Sequence, residues 1–241
     1  MEYLPNLKLL ENANIEVYAN QKYPESFINR LKVNFIKKEK HILDFFEIST
    51  FRKVRINLFD SKESYINFSS QFSKISSYSL GNCFGGMINY VCISKELEDF
   101  YKAGFLIASI VHELVHLIYH EKVSNYHCIW LEEGLAQYLS GQKSFLEADN
   151  QKYLKWLEKE IFSKEIPPID FLKHHGGKYG QFCDCDTNKY NGYDISYALV
   201  RFIIESYNHS DIINIIKNQE MIKGIEKDII EKFKKENESH T

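Results

Sequence analysis

The chain has 241 residues, with 33 acidic against 30 basic side chains and a formal net charge of −3. That balance leaves no basic footprint for a polyphosphate, so a nucleic-acid partner is not expected. With 44% hydrophobic residues the chain can bury a sizeable core, as one or two closely packed lobes. Cys83, Cys92, Cys128, Cys183 and Cys185 are odd in number and irregularly spaced, which suggests reduced thiols rather than a disulfide framework. The first residues, Met1-Glu2-Tyr3-Leu4-Pro5-Asn6, lack a basic region followed by an apolar stretch, so cytoplasmic residence is the expectation. The longest apolar segment, 103–119, is interrupted by His112, Glu113 and His116 and reads as too short for a membrane span.

In chain order, 15–19 and 54–59 have short β-rich patterns, the second alternating Val54, Ile56 and Leu58 with Arg55, Asn57 and Phe59. Between them, 26–46 repeats Phe27, Leu31, Phe35 and Ile42 at helical intervals and predicts an amphipathic helix. Asp60 can cap a further helix through Phe72. Residues 81–86 read as a turn and 87–94 as a strand, leading to a helix over 99–121. Downstream, helices are expected at 130–141, 154–162, 190–207, 211–217 and 221–235, with 236–241 frayed. Pro167-Pro168 breaks the chain, and the polar, Gly-containing stretch 174–187 predicts a long loop over the cleft. The fold class is α+β, with a small N-terminal β-sheet lobe over 1–98 and a mainly helical lobe over 99–241, forming one catalytic unit.

The informative segment is His112-Glu113-Leu114-Val115-His116, followed by Trp130-Leu131-Glu132-Glu133-Gly134-Leu135-Ala136-Gln137-Tyr138. Two histidines four apart on a helix project from one face, one turn from each other, so their imidazoles can converge on one metal ion. Glu113 between them is placed to face a metal-bound water. A catalytic zinc needs a third protein ligand and an open fourth position, and Glu133 on the next helix offers that ligand. Alone, the five-residue match also fits two core histidines satisfied by neighbours. Glu113 inside an apolar run is costly unless something compensates it, and a divalent cation would do so.

These two segments resemble the gluzincin metallopeptidases of the MA clan, in particular the aminopeptidase N-like catalytic domain and its small bacterial relatives. The resemblance spans 85–207, and it implies a zincin-like metalloprotease domain that holds Zn2+ through His112, His116 and Glu133. It makes Glu113 the general base and peptides or proteins the substrate. The spacer between His116 and Glu133, 16 residues, is shorter than the family's usual one. Gly85-Gly86-Met87-Ile88-Asn89-Tyr90 is similar to the family's substrate-binding edge strand, which assigns substrate contacts to Gly86, Met87, Ile88 and Asn89. Ile88 stands where aminopeptidases carry a Glu that binds the substrate's α-amine, which favours an endopeptidase; an ordinary strand after a Gly-Gly turn is the competing reading. Tyr193-Asp194-Ile195-Ser196-Tyr197-Ala198 resembles the helix start that presents a tyrosine hydroxyl to the developing oxyanion. Tyr193 is therefore the candidate second catalytic residue, with Tyr190 and Tyr197 as rivals.

The remaining polar groups carry less. His120, one turn past His116, is expected outside the ligand set, and Gln137, one turn past Glu133, is expected to orient a ligand. The extended metzincin pattern would need Gly at Tyr119 and His at Lys122. His174, His175, Cys183 and Cys185 match no structural zinc spacing, and a polar loop is the simpler reading. The expected mechanism is attack of a zinc-activated water on a peptide carbonyl, with Glu113 moving the proton and Tyr193 holding the oxyanion. A non-proteolytic zinc domain and a non-peptidic amidohydrolase are the alternatives.

Overall fold

The structure is a computed structural model that describes residues 14–19, 23–72, 75, 79–93, 97, 99–123, 128–143, 192–218 and 221. Expectations that fall at 154–162, 167–168, 174–187 and 236–241, and most of 221–235, lie outside these residues. Among them the chain is mixed α and β: β1 (Ile15–Ala19), α1 (Glu25–Phe45), β2 (Val54–Phe59), α2 (Lys62–Ser69), β3 (Gly81–Phe84), β4 (Met87–Val91), α3 (Phe100–Ile118), α4 (Ile129–Ser140), α5 (Gly192–Ser206) and α6 (His209–Lys217). A π-helical turn, Tyr119–Val123, follows α3.

Two compact units are present. One comprises Met1–Ile118 with Leu139–Leu146, the other Tyr119–Tyr138 with Glu147–Thr241. Helix α3 packs on α1, β3 and β4 and so groups with the sheet.

In the first unit the sheet has the order β1-β2-β4-β3, with β1, β2 and β4 parallel and β3 antiparallel to β4. In β2, Val54, Ile56 and Leu58 are fully buried, but burial does not alternate as expected: Asn57 and Phe59 on the other face are buried too, and only Arg55 is half-buried, its Nε donating to Asn57 Oδ1 at 2.8 Å. The α1 stripe is Phe27, Leu31, Phe35, Glu39 and Ile42, at the three- and four-residue spacing of one helical face. The cap of α2 is Ser61 rather than Asp60, its side chain accepting from the Ser64 N–H at 3.2 Å. Phe59, Tyr65 and Val91 close the core between α2 and the sheet, with Ile66, Phe68 and Ile75 packed around them.

The stretch read as a turn, 81–86, is a strand and a turn. Only Gly85 and Gly86 turn, both at positive φ (55° and 83°), which a two-residue hairpin that follows the sheet's twist requires. Gly81–Phe84 pairs with β4 in the register Gly81 with Tyr90 through Phe84 with Met87. Its Gly, Asn and Cys carry little β propensity, and only the hairpin pairing makes them a strand.

Between Lys102 and Val123 the helix is long and apolar enough to cross a membrane by length and composition alone, a test that the core helix of a folded domain also passes. Of its most apolar window, 67% is buried inside the protein.

In the second unit α4 and α5 approach closely: a Cβ on Gly134 would lie 2.3 Å from the Ser196 carbonyl oxygen and 2.5 Å from a Val200 methyl. Glycine at 134 is what permits that approach. Tyr138 and Tyr197 pack with ring centroids 6.4 Å apart, and Ile212, Ile213, Ile215 and Ile216 form the buried face of α6.

Candidate metal centre

Helix α3 begins where Asp99 Oδ1 accepts from the Lys102 N–H at 3.1 Å, a side-chain cap for the first turn. From Ile107 onward its apolar side chains are buried, Ile110, Leu114 and Ile118 completely. His112, Glu113 and His116 are half-buried. The two histidines stand one turn apart on the same side. Their Nε2 atoms are 3.0 Å from each other and their ring centroids 4.8 Å.

Glu113 is directed to the end of the sheet. A Cβ on Gly81 would lie 3.2 Å from Glu113 Oε1 and 2.3 Å from the Tyr90 ring, so the strand can pass this close to the carboxylate only as glycine. Burial pushes the phenol of Tyr90 up to about 12, and the neighbouring Glu113 charge adds to that. Tyr65 is raised to about 12 in the same way, by burial first and Glu113 as a smaller cause. Both phenols are therefore protonated at neutral pH. Tyr65 and Ser79 share a hydrogen bond of 2.9 Å, and Ser79 Oγ donates to the Gly81 carbonyl at 2.7 Å.

On α4 the two adjacent glutamates differ. Glu132 is buried, its Oε1 accepting from the Cys128 N–H at 2.9 Å and its Oε2 lying 3.4 Å from His120 Nε2. Its charge therefore stays at the N-terminus of α4, where the unpaired amides favour it. Glu133 is half-buried. Gln137 Nε2 donates to the Tyr193 carbonyl at 2.8 Å and lies 3.3 Å from the Glu133 carbonyl. The residue expected to orient a metal ligand thus chiefly ties α4 to the first turn of α5, which carries Tyr193. Tyr197 is buried in the contact with Tyr138, and Tyr190 lies outside the described residues.

His112 and His116 each offer a ring nitrogen, and Glu133 a carboxylate oxygen, as possible ligands of one metal ion. A tetrahedral zinc with bonds of about 2.0–2.1 Å holds its ligand atoms about 3.3–3.4 Å apart. The histidine pair, at 3.0 Å, is already near that separation. Two imidazoles and a carboxylate are also the donor set of a catalytic rather than a structural zinc site. A second trio, His116, His120 and Glu132, offers the same kinds of donor. Its carboxylate accepts from Cys128 and faces His120, so the first trio is the better fit.

The strand expected to form the substrate edge does not lie at the edge. β4 pairs with β2 on one side and β3 on the other. Ile88 is fully buried, Asn89 is buried and accepts from Asn57 Nδ2 at 2.7 Å, and Gly86 holds the turn beneath the Arg52 guanidinium. Met87 is half-buried and starts the strand. The physical reason is the hairpin: β3 adds to β4 and takes the outer position. The inference from Ile88 to substrate polarity loses its basis with this placement. What the sequence reading missed is β3 itself, and the available signal was Gly81, a glycine followed by a two-residue Gly-Gly turn and an apolar strand.

Cys83, Cys92 and Cys128 are not in disulfides. His127, His174, His175, Cys183 and Cys185 fall outside the described residues. In comparisons with known proteins, no family model matches this chain, and no curated protein does.

Proposed function

We propose that the chain is a zinc-dependent peptidase of the gluzincin kind, with a zincin-like fold, cleaving within peptides rather than removing N-terminal residues. The carrying observation is the pair of His112 and His116 Nε2 atoms 3.0 Å apart on a helix whose Glu113 carboxylate meets Gly81 of the outer strand, with Glu133 of α4 offering the third ligand. Bound to these three residues, zinc would lower the pKa of a water toward about 7 and polarise the scissile carbonyl. Glu113 accepts the proton given up by the attacking water and passes it to the leaving nitrogen, general acid–base work for which a carboxylate beside the cleft suffices. Tyr193, by the family resemblance, donates to the oxyanion, and Gln137 acts as a positioning residue by holding the Tyr193 carbonyl.

Main-chain recognition falls to β3. In an antiparallel ladder alternate residues bond the partner strand. The Val91 N–H donates to the Leu80 carbonyl at 2.8 Å, so Leu80, Asn82 and Phe84 bond β4. Gly81 and Cys83 then face away from β4; the Gly81 carbonyl accepts there from Ser79 Oγ at 2.7 Å, and the Gly81 N–H is the group an extended peptide would meet. Strand addition needs no free N-terminus. Glu132, the other acid near the site, has its carboxylate turned to Cys128 and His120, which supports an endopeptidase.

The test is metal analysis of the purified chain together with hydrolysis of N-acetylated peptides, read by mass spectrometry. The parent should hold about one zinc and cut acetylated peptides internally. Glu113→Gln should keep the zinc and lose about 10²–10⁴-fold in rate, the usual contribution of a general base. Loss of zinc with activity would make Glu113 a ligand. Cleavage abolished by acetylation would make the chain an aminopeptidase.

A further inference from the structure

We infer that Tyr90 is a positioning residue for the base: its ring, tethered to Ser109 at the hydroxyl end and lying across Gly81, forms the wall that sets where the Glu113 carboxylate stands. This rests on the peptidase reading above and adds to it the residue that places its base. Tyr90 and Gly81 are directly opposed in the ladder of β4 and β3. With no side chain at 81, the ring can lean across the neighbouring strand: a Cβ there would lie 2.3 Å from Cδ2 and 2.5 Å from Cε2 of Tyr90. The same point is 3.2 Å from Glu113 Oε1. The ring therefore turns its edge toward the carboxylate's side, and the edge is the positive part of an aromatic quadrupole.

What fixes the ring is on α3 itself. Ser109 stands one turn before Glu113, so the two share a face of the helix. The Ser109 hydroxyl donates to the Phe105 carbonyl at 2.9 Å, and its oxygen accepts from Gln142 Nε2 at 2.9 Å and from the Tyr90 phenol. Ser109 is 2% and Tyr90 8% exposed, which keeps water from competing for this tether. Tyr90 thus bridges Ser109 and the neighbourhood of Glu113 on one helix. Gly81 is held separately, its carbonyl accepting from Ser79 Oγ at 2.7 Å, and Ser79 shares a second bond with Tyr65. A glutamate side chain left to itself samples several staggered rotamers. A fixed wall on one side removes those that would carry the carboxylate toward the sheet.

The experiment measures kcat and KM of the zinc-loaded chain on N-acetylated peptides, with the zinc content and urea unfolding of each variant. Tyr90→Leu removes the ring and should lower kcat about a hundredfold with KM and zinc content unchanged, the effect of a base displaced by about 1 Å. Tyr90→Phe keeps the ring and loses only its tether, so it should stay within about tenfold of the parent, the worth of one buried hydrogen bond. Tyr23→Phe is the control: its hydroxyl donates to the Cys92 carbonyl at 2.8 Å in the same unit, and its loss should lower stability without moving kcat. The deciding comparison adds each Tyr90 change to Glu113→Gln, where a residue that acts through the carboxylate should have no further effect. Equal losses in the two backgrounds, or kcat unmoved by Tyr90→Leu, overturn the inference and leave the peptidase reading standing. If Tyr90→Leu does not fold, Tyr90→Phe decides: a kcat loss that disappears in Glu113→Gln supports the role, and one that persists or never arises overturns it. A zinc-loaded parent that cleaves no peptide overturns the peptidase reading itself, and this role with it.

Discussion

Helices α1 and α3 pack against each other in the same unit, and each places a glutamate in its apolar stripe. Their environments differ. Glu39 of α1 is buried and accepts a hydrogen bond from Asn14 Nδ2 at 2.7 Å, and burial raises its carboxyl above the ordinary range. Glu113 of α3 is half-buried, one residue from His112, and reaches the outer strand at Gly81. A carboxylate in an apolar run is therefore not by itself a mark of metal chemistry. An amide donor and a raised pKa deal with the first, whereas the second stands among converging histidine donors at the end of the sheet.

The largest expected effect separates the two helices by metal. Glu133→Ala should weaken zinc binding by more than about a hundredfold, beyond what loss of an outer hydrogen-bond partner costs a metal site. Equilibrium dialysis against a competing chelator measures it, and unchanged affinity would pass the third position to the trio of His116, His120 and Glu132. Gly81→Ala comes next. The added methyl must displace the Tyr90 ring and crowd Glu113 Oε1, and a shift of the base by about 1 Å can cost on the order of a hundredfold in rate. Unaltered kcat/KM in that variant would detach Glu113 from β3.

The smallest effect belongs to Glu39→Gln, and it concerns stability alone. With the folded carboxyl raised by burial, the folded chain binds its proton more tightly than the unfolded chain does. The stability this contributes is full below the ordinary carboxylate pKa and is lost as pH rises through the raised value. Glu39→Gln removes the loss, so its stability advantage over the parent should widen with pH across that window while peptide hydrolysis is unaffected. Urea denaturation at a series of pH values reads this directly, and a gap that narrows with rising pH would reverse the assignment.

Where side-chain pattern and packing coincide, the sequence was legible. The stripe Phe27, Leu31, Phe35, Ile42 marks α1 because burial on one face imposes that period, whereas β2 is marked by its apolar, β-branched residues and is buried on both faces from Ile56 on. His112, Glu113, His116 and Glu133 could be named for the same kind of reason, since helical spacing alone brings two of them together. β3 was not legible. A four-residue strand of Gly, Asn, Cys and Phe has no apolar alternation, and it exists because a Gly-Gly hairpin lays it on β4. As a result the substrate edge was expected at β4, the strand with the stronger pattern, and packing puts that strand inside the sheet. The bond from Gln137 to Tyr193 was equally hidden, as it joins residues 56 apart in the chain.

An outer strand bordered by Leu80, Phe72 and Phe84 also has a colloidal consequence. Unpaired strand edges with apolar flanks are templates on which identical chains add to one another. β3 limits this hazard by its length, four residues, and by ending at a glycine turn at positive φ that bends the chain back out of the edge. Concentrated solutions of the chain should therefore show little self-association through this edge, and lengthening β3 past its glycine turn should raise it.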